Sequence, residues 1–124
     1  MRKKAKKEPA REKRIEMEIV VDAYGALEQS TGWYYYLEDN LKFPFPATCV
    51  KKRTISPLKL KDNVEVVGMP PEVECEREMF VSIKWEGRRF SVPLDQVQCV
   101  RCDKKTKQAI EDWHYWVKQG YQFG

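Results

Sequence analysis

The sequence predicts an α+β protein: N-terminal helices, a small SH3-like bent antiparallel sheet or barrel, and a C-terminal helix. Three observations predict it. Apolar residues recur at helical spacing as far as Leu41. From Thr48 to Val100 they fall into short alternating runs bounded by Pro, Gly and Asp. After Asp103 the helical spacing returns. Several short strands within about 55 residues, joined by turns, are the pattern of a small, strongly bent sheet.

Residues 1–10 are Lys-rich and contain Pro9, and are expected to form a disordered basic tail. Residues 11–124 are expected to form a single domain. A helix is expected from about Ala10, with Val20, Ala23, Tyr24 and Leu27 spaced i, i+3, i+4, i+7 as its apolar stripe. Ser30-Thr31-Gly32 is expected to be a helix junction, capped by Ser30 or Thr31. A second, short helix would then place Trp33, Tyr36, Leu37 and Leu41 on one face, and Pro44 and Pro46 forbid its continuation. Strands are expected at Thr48–Lys52, Val64–Val67, Met79–Trp85 and Arg89–Val92. The third alternates Met79, Val81, Ile83 and Trp85 against Phe80, Ser82 and Lys84, as a half-buried strand does, and Glu86-Gly87 signals a hairpin. Pro93–Val97 reads as a tight turn before a last strand near Gln98–Val100. The final helix is expected from Lys104 to Gln119, capped by Asp103, with Ala109, Ile110, Trp113 and Val117 inward and Gly120 as its stop.

The net charge of +4 is the sum of unlike regions. Residues 1–14 carry eight Lys/Arg against two Glu, whereas residues 15–50 carry six acids against Lys42. Residues 62–78 carry six acids against Arg77, and between these acidic stretches lies a basic knot of Lys51, Lys52, Arg53, Lys59 and Lys61. The body is therefore mildly acidic and the tail basic. A tail of this kind is a solvated end or a contact for nucleic acid or an acidic protein partner. No apolar run approaches the roughly 20 residues of a membrane span, and no apolar segment follows the basic N-terminus as in a secretory signal. A monomeric cytoplasmic protein without a membrane is expected. Its cysteines, Cys49, Cys75, Cys99 and Cys102, are then expected as reduced, partly buried thiols. Cys99 and Cys102 form a CxxC, for which a zinc or redox role is the alternative, although structural zinc usually takes four N/S ligands.

Two acidic clusters are candidate cation sites. Glu38-Asp39-Asn40 follows the aromatic run Trp33–Tyr36 and falls in the last turn of the second helix. Carboxylates there oppose the helix dipole, which favours cations at that end. Two carboxylates, an amide and the unpaired last carbonyls of a helix are oxygen donors of the kind calcium takes. A solvated helix end is the other reading of the same residues. The second cluster is Glu72, Glu74, Glu76 and Glu78, at every second position; in an extended chain all four would point one way, about 6–7 Å apart. A bound cation, a basic partner or the neighbouring basic knot would relieve their repulsion. No EF-hand loop, phosphate-binding Gly-rich loop or nucleophile context is present. His114, the single histidine, sits among Trp113, Tyr115 and Trp116 and is expected to be packed rather than catalytic. No enzymatic activity is expected.

Six segments carry a resemblance: Glu18–Tyr24 (EIVVDAY), Gly32–Phe45 (GWYYYLEDNLKFPF), Ile55–Leu58 (ISPL), Glu65–Met69 (EVVGM), Glu78–Val81 (EMFV) and Asp112–Val117 (DWHYWV). Together they resemble the cyanobacterial calcium-binding family CcbP, from about Ile15 to Phe123. The resemblance implies calcium binding outside the EF-hand plan, by a small cytoplasmic protein of calcium buffering or signalling. It also implies that an acidic residue of the pair after the tyrosines contributes to a calcium site, which carries onto Glu38 and Asp39 without choosing between them. The glutamate row is no part of the resemblance and rests on charge alone.

Overall fold

A computed structural model describes residues 6–124. In order, the elements are α1 (Pro9–Arg14), a π turn (Ile15–Ile19), α2 (Ala26–Asn40), β1 (Phe45–Cys49) and β2 (Asn63–Gly68). A 3-10 turn (Glu72–Cys75), β3 (Phe80–Trp85), β4 (Arg88–Pro93), a second 3-10 turn (Leu94–Gln96), β5 (Val97–Cys99) and α3 (Lys104–Lys118) follow. The strands form one antiparallel sheet in the order β4-β3-β2-β1-β5. The predicted α+β arrangement of N-terminal helices, bent sheet region and C-terminal helix is the one observed. Among the described residues, no helix is long and apolar enough to cross a membrane.

The core is continuous from helices to sheet. Trp33 of α2 is fully buried between Trp113 and Trp116 of α3, with ring centroids 5.0 and 5.6 Å away in edge-on contact. Of the four residues that the spacing placed on one face, Trp33, Leu37 and the C-cap Leu41 are buried and Tyr36 is partly buried. On the sheet, Met79, Val81 and Ile83 are buried while Lys84 is exposed, the expected alternation. Glu86 and Gly87 both take positive φ, 50° and 75°, as a two-residue type I′ hairpin turn requires. Asp103 caps α3 by accepting the Thr106 N–H at 2.8 Å, and Gly120, at φ 79°, ends it.

The N-terminal third departs from expectation. Of the tail predicted disordered over 1–10, residues 1–5 lie outside the described residues, and Pro9 and Ala10 already belong to α1. The Glu8 N–H donates to the Tyr115 hydroxyl at 3.0 Å, and the Lys6 carbonyl accepts from Gln119 at 3.3 Å. The predicted stripe of Val20, Ala23, Tyr24 and Leu27 is not a helix face: Ile15 and Ile19 are the residues buried, and Tyr24 and Leu27 are exposed. The chain leaves the helix through the π turn and reverses at Asp22, whose φ is 55°. The break therefore falls at 20–25, and Ser30–Gly32 lies inside an unbroken α2. Gly25 is its N-cap, with its N–H donating to Glu28 at 3.1 Å. Gly32 acts through its small size. A Cβ there would stand 2.3 Å from the Ile19 carbonyl oxygen, so only glycine lets α2 lie against the π turn. The first strand also starts earlier than predicted, at Phe45. Pro46 is tolerated because it lies past the last register pair with β5, Ala47 with Cys99, where only its carbonyl is used, accepting the Val100 N–H at 2.9 Å.

Candidate metal site

The C-terminal end of α2 is built by four hydrogen bonds. Leu41 leaves the helix in an extended conformation after its N–H closes on Leu37 at 2.8 Å. The Asn40 side chain donates its amide N–H to the Tyr36 carbonyl at 2.7 Å, which leaves its amide oxygen outside that bond. The Lys42 N–H, which one more helical turn would give to Glu38, goes instead to Thr106 Oγ1 of α3 at 2.9 Å. Thr106 in turn donates to the Asn40 carbonyl at 3.4 Å. Among the described residues the Glu38 and Asp39 carbonyls accept no backbone hydrogen bond past the helix end. Their side chains are exposed and form no ion pair among the described residues. One helix end thus gathers two unpaired carboxylates, an amide oxygen and open carbonyls, on the negative pole of the helix dipole.

The glutamate row takes another shape. Instead of an extended strand, Glu72–Cys75 is a 3-10 turn entered from Pro71, so the four carboxylates do not share a face. The reason is Cys75, which turns inward to 1% exposure, where its sulfur accepts the Phe80 N–H at 3.4 Å. Burial pushes that thiol up to about 11. Glu72 accepts from Thr31 at 2.9 Å and from the Tyr35 hydroxyl at 3.0 Å, both on α2. Glu74 accepts from Ser91 at 3.4 Å, Glu76 is exposed, and Glu78 is clamped by Arg53 at 2.6 and 3.1 Å. Only Glu72 is brought toward the α2 site. Its hydrogen bond, then its charge, and lastly Glu38 hold the Tyr35 hydroxyl above its ordinary value. Burial, then the Glu38 charge, does the same to Tyr34, which donates to the Pro70 carbonyl at 2.6 Å. Among the described residues, no group of three or more His, Cys, Asp and Glu side chains could hold a metal ion. Any cation here must therefore draw much of its shell from carbonyls and water.

Sequence reading missed the carboxylates that are internally neutralised. Asp112 of α3 is fully buried and accepts from Arg11 at 2.9 Å, from Arg14 at 2.7 and 3.0 Å, and from the Tyr36 hydroxyl at 2.7 Å. Burial, then the bond to Asp112, pushes that phenol up to about 12. Two of the eight basic residues counted as tail are thus spent inside the fold. Asp95, 8% exposed, is paired with Lys51 at 3.1 Å and Arg53 at 3.0 Å, so the basic knot also serves internal acids. The signal for Asp112 was available: it lies on the same face of α3 as Ala109, Trp113 and Trp116, and a carboxylate on an apolar face needs cations.

With that geometry in place, the chain can be set beside known proteins. Residues 13–117 match the CcbP family, described as calcium binding. The chain belongs to the CcbP family. The crystal structure of Anabaena CcbP is 39% identical over 96% of this chain and 98% of its own, with a TM-score of 0.85. A calcium binding protein solved in its calcium-binding form is also 39% identical, over 94% of this chain and 95% of its own, with a TM-score of 0.84. No curated protein sequence matches.

Two remaining candidates are resolved within this CcbP-family fold. Cys99 and Cys102, expected as reduced thiols, lie side by side with their sulfurs facing each other, while Cys49 and Cys75 are apart and buried. The chain turns back between β5 and the α3 cap and brings the two Cα atoms to 6.2 Å, within bridging range. Among the described residues no further His, Cys, Asp or Glu joins this pair in a group of three or more that could hold a metal ion. His114, as expected, is packed: its Nε2–H donates to the Val97 and Leu94 carbonyls at 2.9 and 3.2 Å, and burial lowers its pKa.

Proposed function

We propose that the protein binds calcium without catalysing a reaction, as a buffer or sensor, at the C-terminal end of α2. The supporting observation is the Glu38–Asp39 pair: exposed, unpaired, and placed where the helix leaves carbonyls open. Both carboxylates, the Asn40 amide oxygen and the carbonyls of Glu38 and Asp39 would supply the protein part of the shell. Water would complete the roughly six to eight oxygens that calcium takes. Glu72, held beside Tyr35, adds negative potential without being needed as a ligand. The remaining glutamates of the row serve other ends, Glu78 as the partner of Arg53. We read the strand order, with a 3-10 turn between β4 and β5, as SH3-like, and the setting as the cytoplasm of a cell that uses calcium signals. Membership of a calcium-binding family favours this reading over nucleic-acid recognition by the N-terminal basic residues.

Calorimetric titration of the metal-free protein tests it, together with terbium luminescence excited through Tyr34 and Tyr35. Saturable heat, and a terbium signal that calcium displaces, are expected. At free calcium about 100 times Kd, one site raises the unfolding free energy by about 2.7 kcal/mol. No heat, no thermal shift and no terbium signal at millimolar metal would sink the proposal.

A further inference from the structure

The connection between α1 and α2 carries a surface that neither the core nor the calcium site uses. Met17, Val21, Tyr24 and Leu27 are exposed by 59, 51, 83 and 61%. Single exposed apolar residues are ordinary, but four large ones within eleven positions form a concentration of apolar surface that usually marks a contact. Looseness does not account for it. Ile15 and Ile19 of the same segment are buried, the Val20 N–H donates to the Ile15 carbonyl at 2.9 Å, and the Ala23 N–H donates to Val20 at 3.0 Å. Gly32 seats the turn against α2. The fold therefore holds these side chains outward on a fixed backbone.

Within the segment itself the charges have one sign, and the nearest exposed base before it is Lys13, four residues ahead of Met17. Residues 15–41 hold six carboxylates and no Lys or Arg. Glu16, Glu18, Asp22 and Glu28 are all exposed beside the apolar residues, and none forms an ion pair among the described residues. Among the described residues Asp22 accepts from the Tyr24 hydroxyl, at 3.5 Å, and Glu28 from the Gly25 N–H of its own helix start.

We propose that this acid-rimmed apolar surface, from Met17 to Leu27, docks a cationic amphipathic helix of a partner protein. Such a helix presents an apolar face to Met17, Val21, Tyr24 and Leu27 and basic side chains to the four carboxylates. The same acidic rim repels anionic lipid and nucleic acid, and a second copy of this chain would set acid against acid across a twofold axis. The surface is independent of the ligands assigned to calcium, so the two readings fail separately.

Calorimetry of the full chain with a synthetic leucine–lysine peptide, patterned as an amphipathic helix, tests the proposal. The comparison is a leucine–glutamate peptide of the same pattern. One saturable site for the lysine peptide is expected, weakened severalfold by raising salt from about 50 to about 300 mM. In a Tyr24→Ser/Leu27→Ser variant the affinity falls at least about tenfold, while the melting temperature and calcium titration match the parent because both side chains are exposed. Glu16→Gln/Glu18→Gln lowers affinity and flattens the salt dependence. No binding by the parent, equal binding by the serine variant, equal binding of the glutamate peptide, or self-association of the chain in sedimentation each overturns the proposal.

Discussion

Asp112 and the Glu38–Asp39 pair are carboxylates on neighbouring helices, and the fold treats them in opposite ways. Asp112 is fully buried and meets two guanidinium groups and a phenol, all within 3.0 Å. Glu38 and Asp39 are exposed, have no cationic partner among the described residues, and sit on the helix pole that already carries partial negative charge. The contrast teaches which acids are available. A carboxylate whose charge is met from within is structural, and removing its partners costs stability. One left unmet at a helix end costs little to keep and attracts a mobile cation. Asp95 and Glu78 belong with Asp112, because Lys51 and Arg53 satisfy them.

The largest effect should come from breaking the satisfied side. Arg11→Gln/Arg14→Gln leaves Asp112 buried without a cation, and breaking a buried pair in this way costs about 3–5 kcal/mol. Urea unfolding measures it. Calcium affinity of the folded fraction should not change. A variant as stable as the parent would mean that Asp112 finds water or takes up a proton at no cost, and the distinction between the two kinds of acid would lose its energetic basis.

The same distinction explains what could be read from the sequence. Periodicity located α3, its Asp103 cap and its Gly120 stop, and the alternation of β3, because each is decided by residues close in the chain. It placed Glu38–Asn40 at a helix end for the same reason. It misplaced the break between the N-terminal helices because Gly32 looks like a helix breaker until the Ile19 carbonyl is known to lie against it. The glutamate row could not be placed either: an extended chain would have aligned its four carboxylates, whereas Glu72–Cys75 is a 3-10 turn with Cys75 buried. Half of the helix-end hydrogen bonds also come from afar, since Thr106, which takes the Lys42 N–H, is 64 residues away in sequence.

Thr106 offers the next-largest test. Thr106→Val keeps the shape but removes the oxygen that holds the Lys42 N–H at a fully buried position. A loss of about 1–2 kcal/mol is expected. Lys42 is then free to close on the Glu38 carbonyl, so calcium affinity should fall severalfold. Lost stability with unchanged affinity would show that the open carbonyls are not ligands. A smaller effect involves pH. Burial holds His114 below its ordinary 6.5. Below that value the unfolded chain takes up a proton that the folded chain refuses, so stability declines as pH falls from about 7 toward the folded-state value. Urea midpoints at several pH values should show this slope, and His114→Gln should remove it.

The smallest effect on stability should accompany the largest effect on calcium. In Glu38→Gln/Asp39→Asn the side chains keep their size and remain exposed, and two negative charges leave a helix end that disfavours them. Stability without calcium should therefore stay within about 0.5 kcal/mol of the parent, or rise slightly. Binding should weaken by more than about tenfold, because the amide oxygens that remain carry no net charge to offset the dehydration of a divalent ion. The thermal shift on adding calcium and the sensitised terbium signal should fall together. A variant that binds as tightly as the parent moves the site off the end of α2, with Glu72 and its neighbours on the tyrosine face as the next place to substitute. A variant that loses binding and also two or more kcal/mol of stability would mean that Glu38 and Asp39 are structural after all, and that the unmet acid must be sought elsewhere.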